Sequence, residues 1–417
     1  MLIALFNLTV KSVLSRKLVF SLLVVSIALS SMLLIGVQKI KHSAKESFSH
    51  SISGTDLIVG SRSGDIQLLL YTVFRQGQAV ANMSWDSVTA IQSFPEVDWV
   101  VPVSLGDSHR GYPVLATHLD YFEYYRYGRK QSLLLRQGRL FSSPFDVVLG
   151  YEVAQKLQYT LGKRLYLAHG IAKGNLPVHK QYLFTVVGIL EPTGTPVDKT
   201  VHIGLGGMTA LHLSPQKSKS LPFHSDDLLN EALQPDSVTG CLVGLKSKLA
   251  IFSIKNRITQ WSKEPLMAII PGVTLSRLWG SIRTIDRAFF IITVLVMVIA
   301  LMGLLVSLFI SLQQRKRELI ILRTMGAHPS QLVLMLVFES LLVSVSGVVL
   351  GLGLIVGVGT WLTPLLESRW GLILSLTTLS VTELYFAIAI IILSVLISLI
   401  PGIIVYRKGS NYGILSI

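Results

Sequence analysis

Four long apolar runs constrain this chain more than any other feature. Leu18–Val37, Ala288–Leu312 and Leu384–Val405 carry no charge, and Leu332–Val358 carries one, Glu339. About 20 apolar residues rising ~1.5 Å each cross a hydrocarbon core of about 30 Å, so every run is long enough to span a bilayer. Inside lipid the backbone must satisfy its own hydrogen bonds, which leaves the helix as the form these runs take. The first run follows Lys11, Arg16 and Lys17, as a secretory signal would. It exceeds an h-region of about 7–15 residues, and no A-x-A-like cleavage site follows. It reads as an uncleaved anchor.

Basic residues in short loops set the orientation. Lys11, Arg16 and Lys17 flank the first run, Arg315, Lys316, Arg317 and Arg323 lie between the second and third, and Arg407 and Lys408 follow the fourth. The loop between the third and fourth runs holds Arg369 as its only basic residue. Both termini and the 2–3 link are therefore expected in the cytoplasm, with the 38–287 segment outside. The expected plan is a cytoplasmic segment 1–17, spans at 18–37, 288–312, 331–358 and 384–405, a cytoplasmic link 313–330, a short external loop 359–383 and a tail 406–417.

Composition agrees. The chain of 417 residues is 51% hydrophobic and only 14% charged, against about a quarter charged in soluble domains. Its formal net charge of +14 suits an anionic membrane surface or nucleic acid. No helix-turn-helix, zinc-finger or RNA-binding signature is present, so no nucleic-acid partner is expected. Cys241 is the sole cysteine, which excludes an intrachain disulfide or a CxxC site within this sequence.

The 38–287 segment reads as an ordinary mixed α+β fold. Short β-type runs at Thr55–Val59, Trp99–Val103, Val147–Leu149, Arg164–Ala168, Tyr182–Leu190 and Val201–Ile203 are punctuated by Gly54, Gly150, Gly162, Pro192 and Gly194. Helical patterns cover Trp85–Ser93, Glu152–Gln158 and Leu245–Trp261, and Gln38–Ser53 is placed to continue the first span as a stalk. His212–Asp236 reads as a surface loop or insertion.

Chemistry of the catalytic kind is absent. There is no G-x-x-x-x-G-K-[ST] loop to cradle phosphates, so energy must come from another chain. Gly106-Asp107-Ser108-His109 contains a Gly-Asp-Ser, but adjacent Ser and His side chains do not readily form a nucleophile–base pair. Every histidine except His328 lies in the 38–287 segment, none in an H-x-H, H-x-x-x-H or H-E-x-x-H pattern. They read as scattered surface residues, and no metal or cofactor ligand is assigned.

The stretch Gln313–Gly357 resembles the FtsX domain of MacB-type ABC permeases. The carrying residues are Arg315, Lys316, Arg317, Glu318, Leu322, Arg323, Gly326 and Ala327, then Glu339 and the glycine-rich tract with Gly347, Gly351, Gly353 and Gly357. GTDLIVG from Gly54, GRLFSSPFDVVLGYEVAQKLQYTLGKRL from Gly138 and FTVVGILEPTGTPVDKTVHI from Phe184 are similar to the family's periplasmic core domain. The ending Tyr406-Arg407-Lys408-Gly409 departs from the family's small-residue, Arg and Pro tail. The resemblance implies four transmembrane helices with a large α+β periplasmic domain between the first and second, in the bacterial inner membrane. It implies a second permease copy or homologue, a cytoplasmic ABC ATPase dimer that holds the ATP and Mg, and a periplasmic adaptor, lipoprotein or substrate protein.

The resemblance also implies that 313–330 docks on the ATPase. Leu319, Ile320, Leu322 and Met325 give an apolar face near helical spacing, opposite Arg315, Lys316, Glu318 and Arg323, and Pro329 suits the first turn of the following helix. Membrane anchoring alone is the plainer role for the basic cluster. Glu339 is costly inside a bilayer and is expected either to pair with a basic residue or to act in coupling. The small-xxx-small glycine pairs fit span–span packing or a dimer seam. Two functions fit: a mechanical exporter of a peptide, amphipath or lipoprotein, or a non-transporting regulator of a periplasmic partner such as a cell-wall hydrolase. A link to metal homeostasis is a further alternative.

Overall fold

The computed structural model describes residues 7, 9–11, 15–128, 130–170, 182–212, 233–314, 321, 328–370 and 381–411. Two compact units emerge, one of residues 1–44 and 282–417 and one of 45–281.

In the first unit all four apolar runs are helical. They belong to helices α1 (Lys17–His50), α8 (Pro271–Gln314), α9 (Pro329–Trp370) and α10 (Val381–Asn411), each long and apolar enough to cross a membrane. The helices outrun the apolar segments. Residues 38–50 of the expected Gln38–Ser53 stalk are the C-terminal part of α1, residues 271–287 belong to α8, and α9 continues to Trp370. The expected 359–383 loop is thus helical over its first part, and 371–380 lies outside the described residues. Hydropathy marks where lipid ends, whereas i→i−4 hydrogen bonding carries a helix past that point.

Ile27, Leu34 and Ile35 of α1, Met297, Leu301 and Leu304 of α8, Leu336 and Val343 of α9, and Ala387 and Ile390 of α10 form the bundle core. Hydroxyls within it are satisfied locally or between helices. Ser31 Oγ donates to the Ala28 carbonyl (3.0 Å), and Ser340 Oγ of α9 donates to the Ser394 carbonyl of α10 (2.9 Å). In hydrocarbon such bonds replace the water these groups lose.

The second unit is built on an 11-stranded mixed sheet. Its strands are β1 (Leu57–Ser61), β2 (Val97–His109), β3 (Tyr112–Thr117), β4 (Leu135–Gly138), β5 (Asp146–Leu149), β6 (Arg164–Leu165), β7 (Ala168–His169), β8 (Phe184–Leu190), β9 (Val201–Gly204), β10 (Gly240–Leu245) and β11 (Leu266–Ile269). The spatial order is β11-β1-β10-β2-β3-β9-β5-β8-β4, with β7 added to β2 and β6 to β8. The β3–β9 and β5–β8 pairs are parallel and the others antiparallel.

Helices α2 (Asp65–Thr72), α3 (Trp85–Gln92), α4 (Asp120–Tyr124), α5 (Tyr151–Leu157), α6 (Leu205–His212) and α7 (Ile251–Thr259) complete the unit. Both faces of the central sheet are covered, which is why β1, β5, β9 and β10 are buried along their whole length and lack polar alternation. Leu57, Val59, Val147, Leu149, Cys241 and Val243 face a core closed by Val88 and Ile91 of α3, Val153 of α5, Met208 of α6 and Ile254 of α7. Ile58, Val148 and Leu242 point the other way, against Leu68 and Leu69 of α2 and Tyr121 and Phe122 of α4.

Four of the β-type runs and the helices at Trp85–Ser93 and Glu152–Gln158 are present within a few residues of the expected bounds, whereas Trp99–Val103 is part of the longer β2 and Arg164–Ala168 divides into β6 and β7, which pair with different strands. The Leu245–Trp261 pattern is shorter as a helix, because Leu245 ends β10 and only Ile251–Thr259 is α-helical. Residues 213–232 of the expected His212–Asp236 loop lie outside the described residues.

Candidate functional site

The residues expected to couple to an ATPase, Arg315, Lys316, Arg317, Glu318, Leu322, Arg323, Gly326 and Ala327, lie outside the described residues, as do Leu319, Ile320 and Met325. What is described is the frame on either side. Helix α8 ends at Gln314 and α9 begins at Pro329. The α9 start is capped, with Gln331 Oε1 accepting from the His328 backbone N–H (3.1 Å). This is the reach-back half of a capping box and satisfies one donor at the helix end.

The glycine tract divides by face. A Cβ at Gly347 would lie 2.7 Å from Ile27 Cγ2, and one at Gly351 would collide with Ser31 Oγ and lie 2.7 Å from the Ala28 carbonyl oxygen. These two glycines therefore let α9 lie directly against α1. Gly353 and Gly357 have nothing within 4 Å of such a Cβ. Six residues on from Gly347 is about 240° round a helix of 3.6 residues per turn, so the second pair faces away from that contact. Packing among the described residues accounts for one pair only.

Glu339 is half-buried in α9, next to the buried Ser340 that bonds α10. Among the described residues, one ion pair across the bundle is a pairing the sequence did not suggest. Lys39 Nζ lies 3.3 Å from Glu383 Oε2, with both side chains almost wholly buried. It ties the C-terminal part of α1 to the start of α10 across 344 positions of sequence. A second pair, Lys41 to Asp286 at 2.7 Å, is more exposed.

The described histidines of the second unit are not all surface residues. His202 is fully buried in β9, in tilted ring contact with Tyr121 and Phe122, with Nδ1 3.3 Å from the Val148 carbonyl oxygen. Burial, aided by the nearby buried Arg75 guanidinium, pushes its pKa down to about 3. His109 is buried with Nδ1 2.7 Å from the Tyr166 carbonyl oxygen and Nε2 3.0 Å from Tyr159 Oη, and burial lowers its pKa too. Both are core histidines. His169 and His212, by contrast, come together at Asp107. The Gly-Asp-Ser-His stretch lies in β2 with Ser108 and His109 buried.

Comparison with known proteins covers nearly the whole chain. Residues 19–260 match the MacB-like periplasmic core domain, and residues 290–413 match the FtsX-like permease C-terminal domain. Among solved structures, the periplasmic region of MacB from Actinobacillus actinomycetemcomitans is 12% identical, covering 55% of this chain and 94% of that one with a TM-score of 0.35. The extracellular domain of the noncanonic ABC-type transporter YknZ from Gram-positive bacteria is also 12% identical, covering 51% of this chain and 98% of that one with a TM-score of 0.30. No curated protein sequence matches significantly.

Proposed function

Because this chain belongs to the MacB/FtsX-type family of ABC transporter permeases, in which the permease component lacks the ATPase, we propose that it is the moving half of a two-part machine. A separate cytoplasmic ATPase dimer binds ATP and Mg, and the 313–330 segment docks on it. The motion passes to the external domain, which acts on a peptide, an amphipath or a lipoprotein. A second permease copy or homologue completes the assembly in the inner membrane, with both termini cytoplasmic.

The observation carrying this reading is the order of the two family domains. The periplasmic core domain match includes the first apolar helix, and the permease domain match includes the other three. The basic link Arg315–Arg317 then stands on the side opposite the external domain by the charge rule. Four helices per chain offer little width for a pore, which favours transmitted motion over a channel.

Replacing Glu318 and Arg323 together by Ala tests the docking. The variant permease is expected to reach the membrane yet lose the ATPase on purification in mild detergent. Normal copurification with intact ATP-dependent activity would refute it. Recovery of a periplasmic adaptor or lipoprotein with the complex supports export, and recovery of a peptidoglycan hydrolase would replace export by regulation.

A further inference from the structure

Asp107, His169 and His212 meet through the topology of the external unit. Strand β7 pairs with β2 so that His169 stands directly opposite Asp107, and directly opposed residues of antiparallel strands share a face. His212 is the last residue of α6. His169 Nδ1 lies 3.3 Å from Asp107 Oδ1, His212 Nε2 lies 3.3 Å from His169 Nδ1, and His212 Nε2 lies 3.8 Å from Asp107 Oδ1. The Asp107 carboxylate is wholly buried, while the two imidazoles are 59% and 42% exposed. The cluster is anchored at its acidic end and open to solvent at the other.

These atoms form a triangle whose edges match the faces of a metal tetrahedron. Zinc bonds of ~2.0–2.1 Å to imidazole nitrogen and ~2.0–2.2 Å to carboxylate oxygen put neighbouring tetrahedral ligands about 3.4 Å apart. The orientation of His212 agrees as well. Its Nδ1 lies 2.9 Å from the Met208 carbonyl oxygen. Assigning the Nδ1 proton to that bond leaves the Nε2 lone pair turned toward Asp107 and His169. Metal-bound histidines are held in this way, the second ring nitrogen donating to a carbonyl or carboxylate. A lone pair converging on a carboxylate oxygen calls for a proton or a metal ion between them.

We propose that the external domain binds one divalent transition-metal ion through Asp107, His169 and His212, with zinc(II) favoured. Two imidazoles and one carboxylate make a borderline N/O set suited to zinc, whereas magnesium and calcium prefer all-oxygen surroundings. Three protein ligands leave the fourth position on the solvent side for water or an incoming donor.

The test uses the full-length chain in detergent, stripped with a chelator and titrated with zinc(II) alone by calorimetry, with metal content measured in parallel. One zinc per chain is expected, with proton release on binding. His169→Gln and His212→Gln should each weaken binding about 100-fold or more, since even outer-shell changes cost ~10–100-fold. His118→Gln, at an exposed histidine outside the cluster, should bind as the parent does. Both ligand variants sit at exposed positions, and unchanged melting of their metal-free forms would show that the fold is intact. Failure of the parent to bind zinc, or equal affinity in the parent and ligand variants, would overturn the site and leave a histidine–aspartate contact sharing a proton.

Discussion

Removing one partner of the Lys39–Glu383 pair should destabilise the membrane unit far more than removing both. At 3.3 Å two unit charges attract by about 5 kcal/mol in an effective dielectric of about 20. The side chains are 4% and 6% exposed, so desolvation cancels much of that attraction in the intact pair. A single Lys39→Met change loses the attraction and leaves a buried carboxylate, at a cost of about 3–5 kcal/mol. Glu383→Leu removes the same attraction from the buried Lys39 at similar cost. The double variant removes both charges together, and apolar replacement of a buried pair is often neutral or stabilising. The assay is unfolding of the purified chain in mixed micelles, followed by tryptophan fluorescence, with all four members of the double-mutant cycle. Each single variant should unfold at markedly lower denaturant, and the double should return close to the parent. A double variant that loses the sum of the two single losses would refute the pairing. So would single variants as stable as the parent.

Two further outcomes follow from the geometry. Gly351→Ala should loosen the contact of α9 with α1, where overpacking costs about 1–3 kcal/mol against a helix-propensity gain of about 1 kcal/mol. Gly353→Ala should leave chain stability unchanged or slightly raised, and thermal unfolding in detergent would separate the two. His202, neutral in the fold with its pKa pushed down to about 3, ties stability to pH. The unfolded chain takes up the proton below about pH 6.5 while the folded chain resists it down to about pH 3, so stability falls on acidification between these values. The loss from pH 7 to pH 5 is about 2 kcal/mol. His202→Phe should flatten this part of the stability–pH curve, and an unchanged slope would show that another group carries it.

Much of the architecture was legible without coordinates, because lipid imposes a local rule. A spanning segment needs about 20 apolar residues in a row and must hydrogen-bond to itself, so Leu18–Val37 and its three counterparts declare themselves. Strands buried on both faces leave a similar local mark, and Val147–Leu149 and Val201–Ile203 were readable for that reason. The small-xxx-small pairs were visible too, but which of them met another helix was not. Only the packed bundle sets Gly351 against Ala28 and Ser31 and leaves Gly353 open.

The apolar runs by themselves determined that this chain is a four-helix membrane protein, and the FtsX-like residues at 313–357 its family. Tertiary structure alone decided which polar groups meet. Lys39 and Glu383 stand 344 positions apart. Asp107, His169 and His212 join through a strand register and a helix end, with no spacing motif between them. Hydrophobic period is a property of neighbours in sequence and survives in the string of letters. A charge pair or ligand triangle depends on where distant segments come to rest, and that is set by how the whole core packs.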